Sequence, residues 1–125
     1  MSNVSSLIRT LSSRVTKINY LVLSTGYLST EPYTATPEGI DQKLAVMYYS
    51  RFKFTLELLP LLQNAKQQGE QARVLFILAA GRGKPVDLND LGLKKGYSSL
   101  SSVAYSPACA ELAIEVRSES QTLLT

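Results

Sequence analysis

Arg73-Val-Leu-Phe-Ile-Leu-Ala-Ala-Gly-Arg-Gly83 is an unbroken apolar run, rich in β-branched and large side chains, that stops abruptly at glycines. Such a run reads as a parallel strand buried on both faces, which helices must cover on each side. In open α/β sheets ligands bind beyond the carboxyl ends of the strands, so residues 78–83 are the first place to look for function. On this reading Ile77 is core, and Ile77→Asp unfolds the chain.

Working outward, a second run of the same kind precedes it. Ile18-Asn-Tyr-Leu-Val-Leu23 is short, β-prone and followed by Ser24-Thr25-Gly26, which predicts a strand that pairs in parallel with the first. Between them, residues 26–37 hold prolines, a glycine and hydroxyls and read as a loop. Thr36-Pro37-Glu38 then opens a long helix: a capping hydroxyl, a proline at the first position and an acid at the positive end of the dipole. Its predicted core stripe is Ile40, Leu44, Met47, Tyr48, Phe52, Thr55, Leu56 and Leu59, with Gly69 as the stop. Pro60 interrupts the backbone bonding and predicts a kink near Leu56.

The ends of the chain complete the pattern. Val4, Leu7, Ile8, Leu11 and Val15 give a first helix one apolar face, ending near residues 14–17. Residues 84–96 are a polar excursion with one short turn of helix expected, and Ser106-Pro107 repeats the signal for a helix start. Leu112, Ala113 and Val116 would give that last helix its apolar side. Helix, strand, helix, strand, helix predicts an α/β fold with right-handed parallel crossovers in one domain over 1–125.

Composition excludes several chemistries. The 125 residues are 45% hydrophobic and 18% charged, enough apolar mass for a core. Thirteen basic and ten acidic residues leave a net charge of +3, with Lys94-Lys95 the only adjacent basic pair, so no nucleic-acid surface is expected. The absence of histidine rules out imidazole relays, histidine-dependent triads and histidine metal ligands. Cys109 is the single cysteine, so neither an internal disulfide nor a thiolate metal cluster is expected, and a reducing, cytoplasmic setting is favoured. No run approaches the ~18 apolar residues of a membrane span, and Asn3-Val4-Ser5 reads as a chance glycosylation pattern. Gly81-Arg82-Gly83-Lys84-Pro85-Val86 begins like a dinucleotide fingerprint, but Pro85 and Val86 spoil its third glycine position.

Several strings resemble the middle of a short-chain dehydrogenase/reductase, in particular the retinol-dehydrogenase-like branch and its fungal secondary-metabolism relatives. Asn19-Tyr-Leu-Val-Leu-Ser-Thr-Gly26 is similar to the family strand that ends in Asn-Asn-Ala-Gly, and Leu58-Leu59-Pro60 to the end of the family helix. The strand from Arg73 to Ala79 resembles the one ending in Val-Ser-Ser, and Asp87-Leu-Asn-Asp-Leu91 the loop before the active-site tyrosine. The resemblance implies a partial Rossmann-like doubly wound sheet, an NADP or NAD cofactor approached by Ser24, Thr25 and Gly26, and a small hydrophobic alcohol or ketone as substrate. It places the catalytic tyrosine at Tyr105. The family serine, lysine and asparagine fall on Ala79, Cys109 and Met47, so three of the four positions are changed. By the same resemblance the glycine-rich first turn and the later substrate region fall outside 1–125.

The missing lysine has a physical cost. A free phenol with pKa near 10 is about a thousandth ionised at pH 7, and the neutral Cys109 cannot lower that value. Arg117 stands ~18 Å along the helix from Tyr105, too far to substitute. Read apart from the resemblance, Tyr105 at a helix start is a packing or capping-region residue more often than a catalyst. Two functions therefore stand open: a truncated oxidoreductase that is inactive as this chain, or a non-catalytic interaction module. The second would use an exposed sheet edge and the Tyr48, Tyr49, Phe52 and Phe54 surface to pair with itself or a full-length dehydrogenase.

Overall fold

The computed structural model describes residues 1–79, 81 and 83–122, with the side chains of 117–122 excepted. Ala80 and Arg82 of the apolar stretch, and the Arg117 side chain, lie outside the described residues. The elements run α1 (Ser2–Ser12), β1 (Tyr20–Leu23), α2 (Gln42–Leu44), a π-helical turn (Ala45–Tyr49), α3 (Ser50–Gln67), β2 (Arg73–Phe76) and α4 (Ser99–Thr122). The fold is α/β. They form two compact units, one of residues 1–26 and 49–77 and one of residues 27–48 and 78–125.

In the first unit β1 and β2 pair in parallel, as the sequence predicts, with Tyr20 opposite Arg73 through Leu23 opposite Phe76. Arg73 N–H donating to the Asn19 carbonyl opens the ladder and Ile77 N–H donating to Leu23 closes it, at 2.8 and 3.0 Å. One face of the sheet lies on α3, where the Phe52 and Phe76 rings meet edge to face at 5.6 Å. Ile8 of α1 joins Leu58, Leu62 and Ala65 of α3 and Leu23 of β1 in the buried core. The link from α1 to β1 is tied to α3 by Ile18 N–H donating to Leu61 (3.0 Å) and Asn64 donating to Thr16 (2.9 Å).

Three expectations fail in this unit. β2 is four residues long and not buried on both faces: Tyr20, Val22, Leu75 and Ile77, which share the face away from α3, are 49–61% exposed. Ile77→Asp should therefore be tolerated. Period-two alternation governs these strands, because α3 covers one side and no described element of the unit covers the other. The buried stripe of α3 is Arg51, Leu58, Leu62 and Ala65, and Leu56 is exposed. A reading that followed apolar residues skipped Arg51 and so chose Phe52, Leu56 and Leu59, one position off. Finally, α1 stops at Ser12, before Arg14. Gly69 does stop α3: at φ +75° it lets Glu70 N–H reach the Ala65 carbonyl and its own N–H reach Lys66.

In the second unit the helix begins at Gln42, not Pro37. Residues 37–40 instead make a turn, with Gly39 N–H donating to Thr36 at 2.8 Å. Asp41, fully buried, takes the capping role: its carboxylate accepts from the N–H groups of Lys43 (3.0 Å), Leu44 (3.2 Å) and Thr34 (3.3 Å). The π-helical turn that follows holds no glycine or proline to mark it in the sequence. Residues 84–96 form turns rather than a turn of helix, because Asp87 and Asp90 side chains take up the N–H groups of Asn89, Lys94 and Lys95.

α4 starts eight residues before Pro107. Ser98 and Ser101 cap it reciprocally, each hydroxyl accepting the other's N–H at 3.0 and 2.8 Å. Pro107 lies inside the helix, where it removes one backbone donor. Ser102 and Ser106 are buried there because their hydroxyls fold back on the Ser99 and Ser102 carbonyls. Leu112 and Val116, expected on an apolar inner side, are 49% and 66% exposed.

Candidate functional site

The carboxyl ends of β1 and β2 are held by one side chain. Arg51, on α3 and 5% exposed, donates from one guanidinium nitrogen to the Ile77 carbonyl at 2.8 Å and from another to Thr25 at 2.7 Å. Its charge lies 5.9 Å from the Phe76 ring centre, and no carboxylate pairs with it among the described residues. Burial pulls the guanidinium below its ordinary range. Its Nε is buried with no hydrogen-bond partner. Thus a cation fixes the two segments that leave the sheet, and the predicted cofactor positions Ser24, Thr25 and Gly26 lie exposed on the first of them.

The described residues do not fit a whole dinucleotide. A pyrophosphate needs backbone N–H groups at a helix start close behind a strand. Here the first helix after β1 begins at Gln42 and the first after β2 at Ser99. A Cβ at Gly81 would meet nothing within 4 Å, so the glycine serves no close approach of chain to chain. Among the described residues no group of acidic side chains and cysteine could hold a metal ion, and no helix is long and apolar enough to cross a membrane.

In the second unit, Tyr105 and Cys109 stand one turn apart on α4. Tyr105 is 4% exposed, and its hydroxyl donates to the Leu91 carbonyl at 3.4 Å, long for such a bond. Burial pushes the Cys109 thiol up, and a hydrogen bond with Tyr105 pulls it partly back. Met47 is half-buried in the π-helical turn and Ala79 is exposed beyond β2. Tyr48, Tyr49, Phe52 and Phe54 are all half-buried, whereas Tyr20, Val22, Leu75 and Ile77 at the sheet are exposed.

A second polar centre escaped the sequence reading. Lys43 is 1% exposed, and its ammonium donates to the Glu31 carbonyl and to the Tyr97 hydroxyl, both at 2.8 Å. It lies 5.4 Å from the Tyr97 ring centre, and Tyr33 meets that ring edge-on at 5.5 Å. The hydrogen bond to Tyr97 raises the lysine above its usual 10.5, against the opposing effect of burial. Ser99 donates to the same Glu31 oxygen at 2.8 Å and also lines a cavity of about 460 Å³ with Leu28, Ser29, Thr30, Leu100 and Val103. A lysine on a buried face leaves no compositional trace. The cap at Asp41, two residues before it, was the available signal.

Lys43→Met is expected to destabilise the second unit by about 1–3 kcal/mol at pH 7, since the Glu31 carbonyl and Tyr97 lose their donor. Because the folded-state value is raised, this contribution is complete below the ordinary lysine range and is lost as pH rises through the raised value. Melting temperatures of both chains should differ at pH 7 to 9 and converge in strong alkali.

No family model matches the chain. It is 30% identical over 124 residues to an oxidoreductase of Aspergillus flavus, lepF, covering 92% of this chain and 34% of that protein. It is also 30% identical over 117 residues to the NmrA-like family domain-containing oxidoreductase notO of an Aspergillus species, with the same shares covered. An oxidoreductase of Emericella nidulans, AN1596, is 31% identical over 113 residues, 90% of this chain and 33% of its own length. Among solved structures, an uncharacterized protein from Mycobacterium paratuberculosis superposes with a TM-score of 0.62 at 21% identity, over 92% of this chain and 42% of its own, a likeness of fold. The chain therefore has fungal oxidoreductases as relatives and spans about a third of their length.

Proposed function

We propose that this chain is the central part of a short-chain dehydrogenase/reductase-type oxidoreductase, retinol-dehydrogenase-like in its motifs, and that by itself it keeps the scaffold of the site without the chemistry. Fungal oxidoreductases among its relatives support the descent, as does the parallel pairing of the two strings that carry the resemblance. In such a protein an NADP or NAD cofactor would lie against Ser24, Thr25 and Gly26, and the substrate would be a small hydrophobic alcohol or ketone. The cofactor would supply hydride transfer. The lone, burial-shielded Cys109 suits a reducing, cytoplasmic setting.

The observation that carries the inactive reading is Tyr105. Its hydroxyl is buried against Leu91 and beside a thiol, where a proton donor to substrate needs access and a neighbouring charge. Ala79 offers no hydroxyl and Met47 no amide. Neither this chain nor Ala79→Ser with Cys109→Lys is expected to oxidise NADPH with a hydrophobic ketone, because the substitutions restore side chains but no receiving site for the pyrophosphate. Turnover by the double variant above the rate without protein would overturn that.

The second reading, an interaction module, is favoured by one observation: the exposed apolar face of Tyr20, Val22, Leu75 and Ile77 on a two-stranded sheet. Such a sheet is marginal on its own and would gain by pairing with a second copy or a full-length dehydrogenase. Sedimentation of the purified chain separates the two, a monomer at micromolar concentration counting against pairing with itself.

A further inference from the structure

The face of the sheet away from α3 carries an apolar patch whose size can be compared with that of an interface. Tyr20, Val22, Leu75 and Ile77 stand side by side on it, 49–61% exposed. Taking about 200 Å² for a large side chain, those fractions leave roughly 400 Å² of mainly apolar surface in one place. A patch of that size marks an interaction site more often than a bare surface. An interface of standard size covers ~800 Å² of each partner, a little over half of it non-polar. The patch supplies that apolar half, so two copies of it seal each other. Pairing edge to edge is the poorer alternative, because each strand is four residues long and alternate residues already bond across the ladder.

Charge selects the orientation. Residues 20, 22, 24, 73, 75 and 77 share the face by alternation, and the one charged side chain among them is Arg73, exposed at the start of the ladder opposite Tyr20. No carboxylate on the face could receive a second copy's arginine, so apolar packing carries the pair and the two arginines must keep apart. Two sheets stacked about a twofold axis across the strands run antiparallel, with Val22 and Leu75 at the centre. Each Arg73 then lies two residues from the centre on opposite sides, ~13 Å apart along the strands and ~10 Å across the sheets, beyond the screening length at physiological salt. Stacked with strands parallel, they would face each other across ~10 Å alone. We propose that two copies of this chain stack face to face through Tyr20, Val22, Leu75 and Ile77, with their strands antiparallel.

The proposal rests on the interaction-module reading and commits it to one partner and one face. Sedimentation of the natural chain is expected to show a dimer at micromolar concentration. Leu75→Lys, which sets two ammonium groups at the centre of the stack, should weaken it about a hundredfold. Leu7→Lys on α1 and Leu100→Lys on α4, at leucines no less exposed, should leave it unchanged. Dilution of the natural chain should shift the amide resonances of residues 19–24 and 73–77, a measurement that stands even if a variant fails to fold. Mixed with the natural chain, Arg73→Glu should form mixed dimers at the statistical frequency. A monomer at micromolar concentration overturns the proposal and leaves the module reading its other partner, a full-length dehydrogenase. A dimer that survives Leu75→Lys, is lost with Leu7→Lys or Leu100→Lys, or shifts amides elsewhere overturns the face and leaves self-pairing. Mixed dimers in excess overturn the antiparallel stack.

Discussion

Leu58→Asp is expected to abolish folding of the first unit, whereas Ile77→Asp leaves it folded. Leu58 is 1% exposed on the face of α3 that carries the core, with Leu62 and Ala65 beside it. A carboxylate there is buried without a partner or is protonated to fit, and either costs several kcal/mol, comparable with the whole stability of a small domain. Ile77 is 49% exposed just beyond β2, so its replacement moves little apolar area out of water. Circular dichroism melts of the two variants check the pair. A cooperative melt for Leu58→Asp, or loss of structure in Ile77→Asp, would place the core on the other side of the sheet.

Arg51→Met should lower stability by about 2–4 kcal/mol, the second largest effect. The methionine keeps most of the stem that packs against Phe76 but removes the donors to Ile77 and Thr25. Each part-buried carbonyl that loses its charged donor costs about 1–3 kcal/mol, offset in part because a charge no longer needs to be buried. Arg51→Lys should not rescue it, since one ammonium cannot span two carbonyls as a planar fork does. Denaturant unfolding of the three chains measures the loss. A change under about 0.5 kcal/mol would mean that water replaces the guanidinium, and that the strand ends are not fixed by it.

The sequence made the parallel strand pairing legible because both strings are short, apolar and end in small residues. It misjudged their burial. An apolar run looks the same whether one face or both are covered, so Leu75 and Ile77 read as core while they lie half exposed. The helix starts were misplaced for a related reason. Thr36-Pro37 and Ser106-Pro107 carry the usual signals, yet Asp41 and Ser98 cap instead: the Asp41 carboxylate also takes the Thr34 N–H, and Ser98 is locked in a reciprocal cap with Ser101. Arg51 and Lys43 were invisible as candidates: both are charged residues on buried faces, satisfied by carbonyls distant in sequence. The resemblance pointed to Ala79, Cys109, Met47 and Tyr105; the polar centre on Lys43 and Tyr97 is a separate one.

Calorimetric titration of NADPH into the natural 125-residue chain tests most directly whether this scaffold has lost its chemistry. Among the described residues neither strand is followed closely by a helix start, so they offer a pyrophosphate no array of N–H groups. The expected result is heat of dilution alone up to about millimolar cofactor, where a bound complex would be worth only about 4 kcal/mol. Saturable binding at micromolar NADPH, lost on Arg51→Met, would contradict it and make the strand ends a working cofactor site.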